Sequence, residues 1–301
     1  METKKQLTVE DLEAMHKAGE LAGRIFTADE LSNEVYHAGP GISHSGLKEI
    51  GRSPLHYMHK KRHGSQATAA MQKGTLIHMA LLEPERFAAS VIDSGCNDKR
   101  LKAYKAVVAE NPGCMVMKAA EYEEIDGARK AVEGHPIAVG MLRGGVAESS
   151  LYWTDKETGI LCRCRPDYML KDEAVLVDLK KTQSATAEDI CRTIANYGYH
   201  TQAAFYMAGF EAIFGYDPFF RFVFVEEKAP HGVRVVELMD GEYNPQNPFD
   251  GGYPLEFGRM LNKKRLQEYA SCLSDDNWPG YPPAIDQMDI PHWAYDPKEV
   301  A

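Results

Sequence analysis

The spacing of apolar and polar positions divides the chain into a largely helical first half and a mixed second half. Thr8 stands as an N-cap before an amphipathic stretch over residues 10–20, and residues 1–38 form an expected acidic N-terminal arm. Gly39-Pro40-Gly41 interrupts the pattern. Ser43-His44-Ser45-Gly46-Leu47-Lys48-Glu49-Ile50 then opens a short helix that stops near Ser53-Pro54, and a second helix runs from Pro54 to about Lys61. Residues 64–70 are small and polar and read as a loop. Thr75 is expected to cap an apolar helix over residues 76–82, closed by Glu83-Pro84. Residues 98–143, rich in Ala, Glu and Lys, read as helix interrupted at Pro112-Gly113 and His135-Pro136.

From Ala147 the period changes. Residues 148–153 and 161–165 predict two strands joined by a turn over 155–159, with residues 167–170 continuing the second. Residues 174–180 form a third strand, whose apolar run implies burial on both faces of a mixed sheet. Helices are expected over about 187–197 and 199–214, strands over 219–226 and 233–238, and a closing helix over 253–273. An irregular tail with Pro and Trp follows from Trp278 to Tyr295. The pattern predicts an α/β fold in which residues 39–301 are one domain, without an internal repeat.

At 301 residues and 44% hydrophobic, the chain has ample material for a core. No apolar run approaches the roughly 18–20 residues of a membrane helix. The start, Met1-Glu2-Thr3-Lys4-Lys5-Gln6, lacks the apolar stretch of a secretory signal, so a cytoplasmic, membrane-free protein is expected. Six scattered cysteines are expected to be reduced thiols and suggest neither a disulfide framework nor a zinc site. The net charge of −10 argues against nucleic acid until its distribution is read. Residues 1–40 carry a net −4 and residues 241–301 a net −5, so the acidity sits at the ends. Residues 41–74 hold Lys48, Arg52, Lys60, Lys61, Arg62 and Lys73 against Glu49 alone, with four histidines besides. This is either a solvated helix face or a local basic patch of the kind that steers a polyanion.

Asp178 and Lys180, two apart on a strand, point to one side of the sheet, and a short connection can bring Asp167 beside them. Two carboxylates and an ammonium meeting at a sheet edge are costly to desolvate and call for a cation or a function. Oxygen donors of this kind suit Mg²⁺ or Mn²⁺. Alone, a D-x-K triplet is an ordinary ion pair, His78 is a satisfied core histidine, and Gln202 and Tyr206 merely share a helix face at i, i+4.

In order, however, these pieces read Ser43-x-Ser45-x-x-Lys48, Gly74-Thr75-x-x-His78, Glu148, Arg165-Pro166-Asp167, Asp178-Leu179-Lys180 and Gln202-x-x-x-Tyr206. The series resembles the PD-(D/E)XK nuclease superfamily in its RecB-like, lambda-exonuclease-like branch, nearest the RecE-type exodeoxyribonucleases of prophages. The resemblance spans about residues 39–295 and implies a restriction-endonuclease-like core, a mixed sheet flanked by helices. It implies that His78, Asp167, Asp178 and the Leu179 carbonyl are metal ligands, that Lys180 is the motif lysine, and that Gln202 and Tyr206 support the lysine side of the site and contact DNA. It places a further acidic group at Glu148. Ser43 and Ser45 fall where relatives hold phosphate, and Lys48 and Arg52 extend that DNA-binding surface. Arg163 and Arg165 share the strand face opposite Cys162 and Cys164, where they meet either a phosphate or Glu148. Asp178 stands where the commoner residue is Glu. With Cys272 the only cysteine beyond residue 191, the iron–sulfur cluster of some relatives is not expected.

What the resemblance implies is phosphodiester hydrolysis assisted by two Mg²⁺ or Mn²⁺ ions, degrading linear double-stranded DNA from 5′ to 3′ and leaving 3′ single-stranded tails for recombination. It further implies a ring-like homo-oligomer acting on DNA ends and a RecT-like single-strand annealing partner. A repair or restriction-like endonuclease on the same fold, and a non-catalytic scaffold that binds DNA ends, are the alternatives.

Overall fold

The computed structural model describes residues 6–64, 69–241, 253–289 and 295. The chain opens with α1 (Val9–Lys17), β1 (Ile25–Phe26), α2 (Asn33–Ala38), α3 (His44–Ile50) and α4 (Pro54–His63). There follow α5 (Ala69–Leu82), α6 (Pro84–Ser90), β2 (Val91–Asp93), α7 (Lys102–Glu110), β3 (Met115–Met117), α8 (Ala119–Gly134) and α9 (Pro136–Met141). The second half runs through β4 (Val146–Ala147), β5 (Ser150–Thr154), β6 (Leu161–Cys164), β7 (Tyr168–Leu170) and β8 (Val175–Thr182). It closes with α10 (Ala187–Tyr197), α11 (Tyr199–Phe214), β9 (Phe219–Glu226), β10 (Val233–Glu237) and α12 (Pro254–Asp275).

Local chemistry sets several boundaries. Thr8 caps α1 in a reciprocal box with Asp11, Ser43 caps α3 and Thr186 caps α10. Gly198, at φ 70°, lets α10 stop and α11 start within one residue. Thr75 is not a cap. The helix begins at Ala69, and the Thr75 hydroxyl donates to the Met71 carbonyl one turn back, an internal bond that lets threonine sit mid-helix. Part of the expected 64–70 loop, residues 65–68, lies outside the described residues, as does the tail over 290–294. Two strands of three residues each, β2 and β3, pair in parallel within a stretch that reads as helical or unstructured, because so short a run carries no period of its own.

The main sheet has the order β10-β9-β8-β7-β4, with β8 parallel to β9 and antiparallel to β7. Along β8 the side chains alternate between two buried layers. Val175, Val177 and Leu179 pack with α5, α8 and α9, while Leu176 joins the larger core formed with α3, α10, α11 and α12. Three β1-β5-β6 strands form a second sheet, and there Leu12, Leu21, Leu31 and Tyr36 bury against Tyr152. Residues 167–170 therefore do not extend β6. They leave its sheet and enter the other as β7. No helix among the described residues is long and apolar enough to cross a membrane.

His44 joins α3 to α11. Its Nε2 donates to Thr201 Oγ1 at 2.8 Å, because that hydroxyl gives its own proton to the Gly198 carbonyl at 2.7 Å. Burial, aided by the Lys180 and Arg265 charges, pushes the His44 pKa down to about 3 from 6.5. The unfolded chain takes up a proton at this ring as pH falls below 6.5, and the fold does not until about 3, so stability is lost on acidification through that window. Unfolding free energies from urea titrations between pH 7 and pH 4 should fall more steeply for the wild type than for His44→Gln, by up to about 1.4 kcal/mol per pH unit.

Candidate active site and metal centre

The acidic groups sit on a crease. Glu148 lies between β4 and β5, and Asp167 between β6 and β7, where two paired strands pass together from one sheet to the other. The Glu148 amide donates to the Asp167 carbonyl at 3.0 Å across the bend. Glu148 adopts φ 50°, the left-handed region that a side chain rarely takes, and this turns its carboxylate to the same side as that of Asp167.

Beyond Val177, β8 outruns its pairing with β7, so the backbone of Leu179 is open on that edge. Two functional side chains use it. Asp167 Oδ2 accepts from the Leu179 amide at 2.6 Å, and His78, reaching down from α5, donates from Nε2 to the Leu179 carbonyl at 2.9 Å. The opposite ring nitrogen, Nδ1, lies 3.5 Å from Asp167 Oδ1. On the other face of β8, Asp178 is ion-paired through Oδ1 with Lys180 and accepts from Gln202 Nε2 through Oδ2 at 2.7 Å. Lys180 Nζ lies 4.6 Å from the centroid of the Tyr199 ring. Tyr199 is the residue sequence reasoning missed. It stands three before Gln202, so helical spacing already put the two on one face.

Burial dominates the electrostatics. It works against the charged form of His78, but the charge and hydrogen bond of Asp167, with Asp178 behind, overcome it and hold the ring up at about 9. Burial and then Asp167 raise Asp178 to about 6 and Glu148 to about 7. Asp167 itself is held below the ordinary carboxylate range despite burial, because His78, Lys180 and the Leu179 amide all favour its charge. Lys180 is likewise buried yet pushed up by Asp178 and Asp167, so it is an ammonium at neutral pH.

His78, Glu148 and Asp167 each offer a donor atom within 4.8 Å of the others. The set fits a divalent cation: two carboxylates, and an imidazole whose far N–H is fixed on a carbonyl so that Nδ1 is the ligating atom. The Leu179 carbonyl, expected as a ligand, accepts from His78 and so orients that ring. Asp178 faces Lys180 and Gln202 rather than the cluster. Tyr206 lies half-buried, edge-on to Phe220, and burial drives its phenol well above the ordinary range. A cleft of about 630 Å³ opens over the cluster, bordered by Ser32, Glu34, Thr75, Arg86 and Arg165.

The expected phosphate contacts divide. Lys48 and Arg52 are exposed, and Ser43, the cap of α3, hydrogen-bonds Ser45 through their hydroxyls at 2.9 Å. Arg163 and Arg165 are buried. Arg163 donates to the carbonyls of Tyr36, His37 and Gly39, and Arg165 to Ser150 Oγ and the Leu31 carbonyl, with both guanidiniums against the Tyr36 ring. Arg163 is thus engaged inside the protein rather than offered to DNA. Arg165 has no hydrogen bond to Glu148 but lies close enough to feel its charge.

The model of a PDDEXK-like domain of unknown function, DUF3799, matches residues 43–289. A crystal structure of a candidate exonuclease from Eubacterium rectale superposes with a TM-score of 0.57 at 14% identity, covering 95% of this chain and 97% of that one, which is a likeness of fold. A phage-related exonuclease from Haemophilus somnus 129PT is similar over 80% of this chain and 99% of its own at 12% identity, with a TM-score of 0.31 that is too low to argue from. No curated protein matches significantly in sequence.

Ligation by His78 Nδ1 requires the ring to lose a proton it holds up to about pH 9, and Glu148 must lose one held to about 7. Metal affinity should therefore rise with pH from about 6 to 9, up to about tenfold per pH unit for each proton displaced. Calorimetry of Mn²⁺ binding at pH 7 in buffers of different ionisation enthalpy should count about one proton or more released. His78→Gln should release fewer; equal release in the two proteins would remove His78 from the ligand set.

Proposed function

This chain belongs to the PDDEXK-like family DUF3799, and on that premise we propose that it is a metal-dependent deoxyribonuclease that hydrolyses phosphodiester bonds of linear duplex DNA from its ends. The observation that carries this reading is the convergence of the His78, Glu148 and Asp167 donor atoms within 4.8 Å, one strand residue away from the Asp178–Lys180 pair. A divalent cation, Mg²⁺ or Mn²⁺, would supply Lewis acidity toward the scissile phosphate and a more acidic attacking water. A second ion would need Asp178 to give up part of its contact with Lys180 or Gln202.

The chain's own residues do the rest. Lys180, held as an ammonium, donates a hydrogen bond that orients the attacking water and offsets charge on the pentavalent transition state. In that protonation state it is an electrostatic group rather than a general base. Asp178 pins it, and Gln202 fixes the second oxygen of Asp178, so the ammonium keeps one position. The exposed cations Lys48, Arg52, Lys61 and Arg62 grip the phosphate backbone without reading bases. The RecE-like order of motifs favours 5′-to-3′ polarity, 3′ single-stranded products for a RecT-like annealing protein, and a ring-like homo-oligomer.

End-labelled linear duplex, with closed and nicked circles beside it, tests the reading in Mg²⁺ and in EDTA. Linear DNA should be degraded from its 5′ ends only with metal, the closed circle should survive, and Lys180→Ala should be slower by about 10²–10⁴-fold. Cutting of the closed circle would assign an endonuclease. Metal-independent binding without cleavage would assign a scaffold.

A further inference from the structure

Beside the catalytic lysine runs a line of groups that starts at Tyr199, reaches the surface at Tyr197 and ends at Lys48. Tyr199, whose ring faces the Lys180 ammonium, is stacked on Tyr197 with centroids 5.6 Å apart and planes inclined by 19°. Tyr197 ends α10 and Tyr199 begins α11, and the left-handed Gly198 between them is what brings two neighbouring aromatic rings face to face. Tyr199 is braced from behind by Phe222 and Phe224. Tyr197, by contrast, is 57% exposed. Lys48 of α3 arches to it, with Nζ 5.8 Å from the ring centroid and donating to the Tyr197 carbonyl at 3.1 Å, which leaves two of its three N–H donors for another anion. A rigid, solvent-facing aromatic with an ammonium at its rim, one ring from the catalytic group, is complementary to a nucleotide: the ring to any base, the cation to a phosphate.

We propose that Tyr197, backed by Tyr199 and paired with Lys48, is a nucleotide subsite that stacks an unpaired base of the DNA strand being cut and holds an adjacent phosphate. The subsite rests on the nuclease reading above and deepens it, because bases inside a duplex have both faces covered by their neighbours and only a base at or beyond the end of the stack can offer one to the ring. It makes frayed or single-stranded termini the preferred form of substrate, with little preference among bases, since every base has a π-face.

The probes are duplexes carrying 2-aminopurine at the 5′ terminus or at the 3′ terminus, bound in Ca²⁺, together with matching duplexes abasic at that nucleotide. Fluorescence at one terminus should be quenched on binding to wild type and to Tyr197→Phe, and not on binding to Tyr197→Ala. Tyr197→Ala should weaken binding of the base-bearing end about tenfold or more and lose no further affinity when the end is abasic. Lys48→Ala should weaken both ends alike and reduce the salt dependence of binding. Absence of quenching at both termini, or an equal loss by Tyr197→Ala on base-bearing and abasic ends, overturns the subsite. The Phe variant guards against a folding defect. If the quenching pattern holds while Mg²⁺ produces no cleavage, the nuclease reading fails and the subsite stands; cleavage without quenching has the opposite meaning.

Discussion

Two carboxylates buried side by side are the constraint around which this protein is arranged. Asp167, at the bend before β7, and Asp178, on the neighbouring strand β8, are 8% and 2% exposed, and neither position tolerates an uncompensated charge. Each therefore draws in partners from a different layer. Asp167 takes the Leu179 amide and His78 from α5, and Asp178 takes Lys180 and Gln202 from α11. The two helical layers are thus tied to opposite faces of one strand, β8, by polar contacts as well as by the apolar side chains that alternate along it. Because the compensation is shared, the two acids diverge: one is held charged, and the other is raised towards the middle of the pH range.

The crease between the sheets turns this arrangement into an open site. A continuous hairpin would keep Glu148 and Asp167 flat in one sheet, whereas the bend brings both carboxylates to His78, with Glu148 on the cleft, and the unusual backbone at Glu148 is part of that geometry. The segment before residue 40 then forms part of the cleft's border, through Ser32 and Glu34. It is kept there by Arg163 and Arg165, whose guanidiniums bind its carbonyls and flank Tyr36. Arginine suits this task, since its planar fork satisfies several carbonyls at once while its face rests on a ring.

Much of this was legible from residues alone. The strands over 219–226 and the two helices meeting at Gly198 follow from apolar period and capping chemistry, which are local properties. The D-x-K spacing put Asp178 and Lys180 on one face because strand geometry leaves no alternative. The order of motifs pointed to His78 and Asp167, which the structure does bring to one place. Other features were not legible. Thr75 reads as a cap by composition, and only the helix already present before it makes its hydroxyl bond backward. Arg163 and Arg165 read as partners of either a phosphate or Glu148, because alternation reports which face a residue shares, not that the segment before residue 40 covers Arg163 there.

The sequence by itself determined the α/β class and the central strand with its paired charges, since period, propensity and spacing act over a few residues, while the candidate ligands came from the family resemblance that the order of motifs carries. Only the tertiary structure decided that the Leu179 carbonyl steadies His78, that the Glu148 carboxylate meets His78 and Asp167 while Asp178 turns to Lys180, and that Arg163 is spent on backbone carbonyls. Those outcomes depend on where strands separated by many residues change sheets, and on which buried charge finds a partner first when all of them are desolvated together.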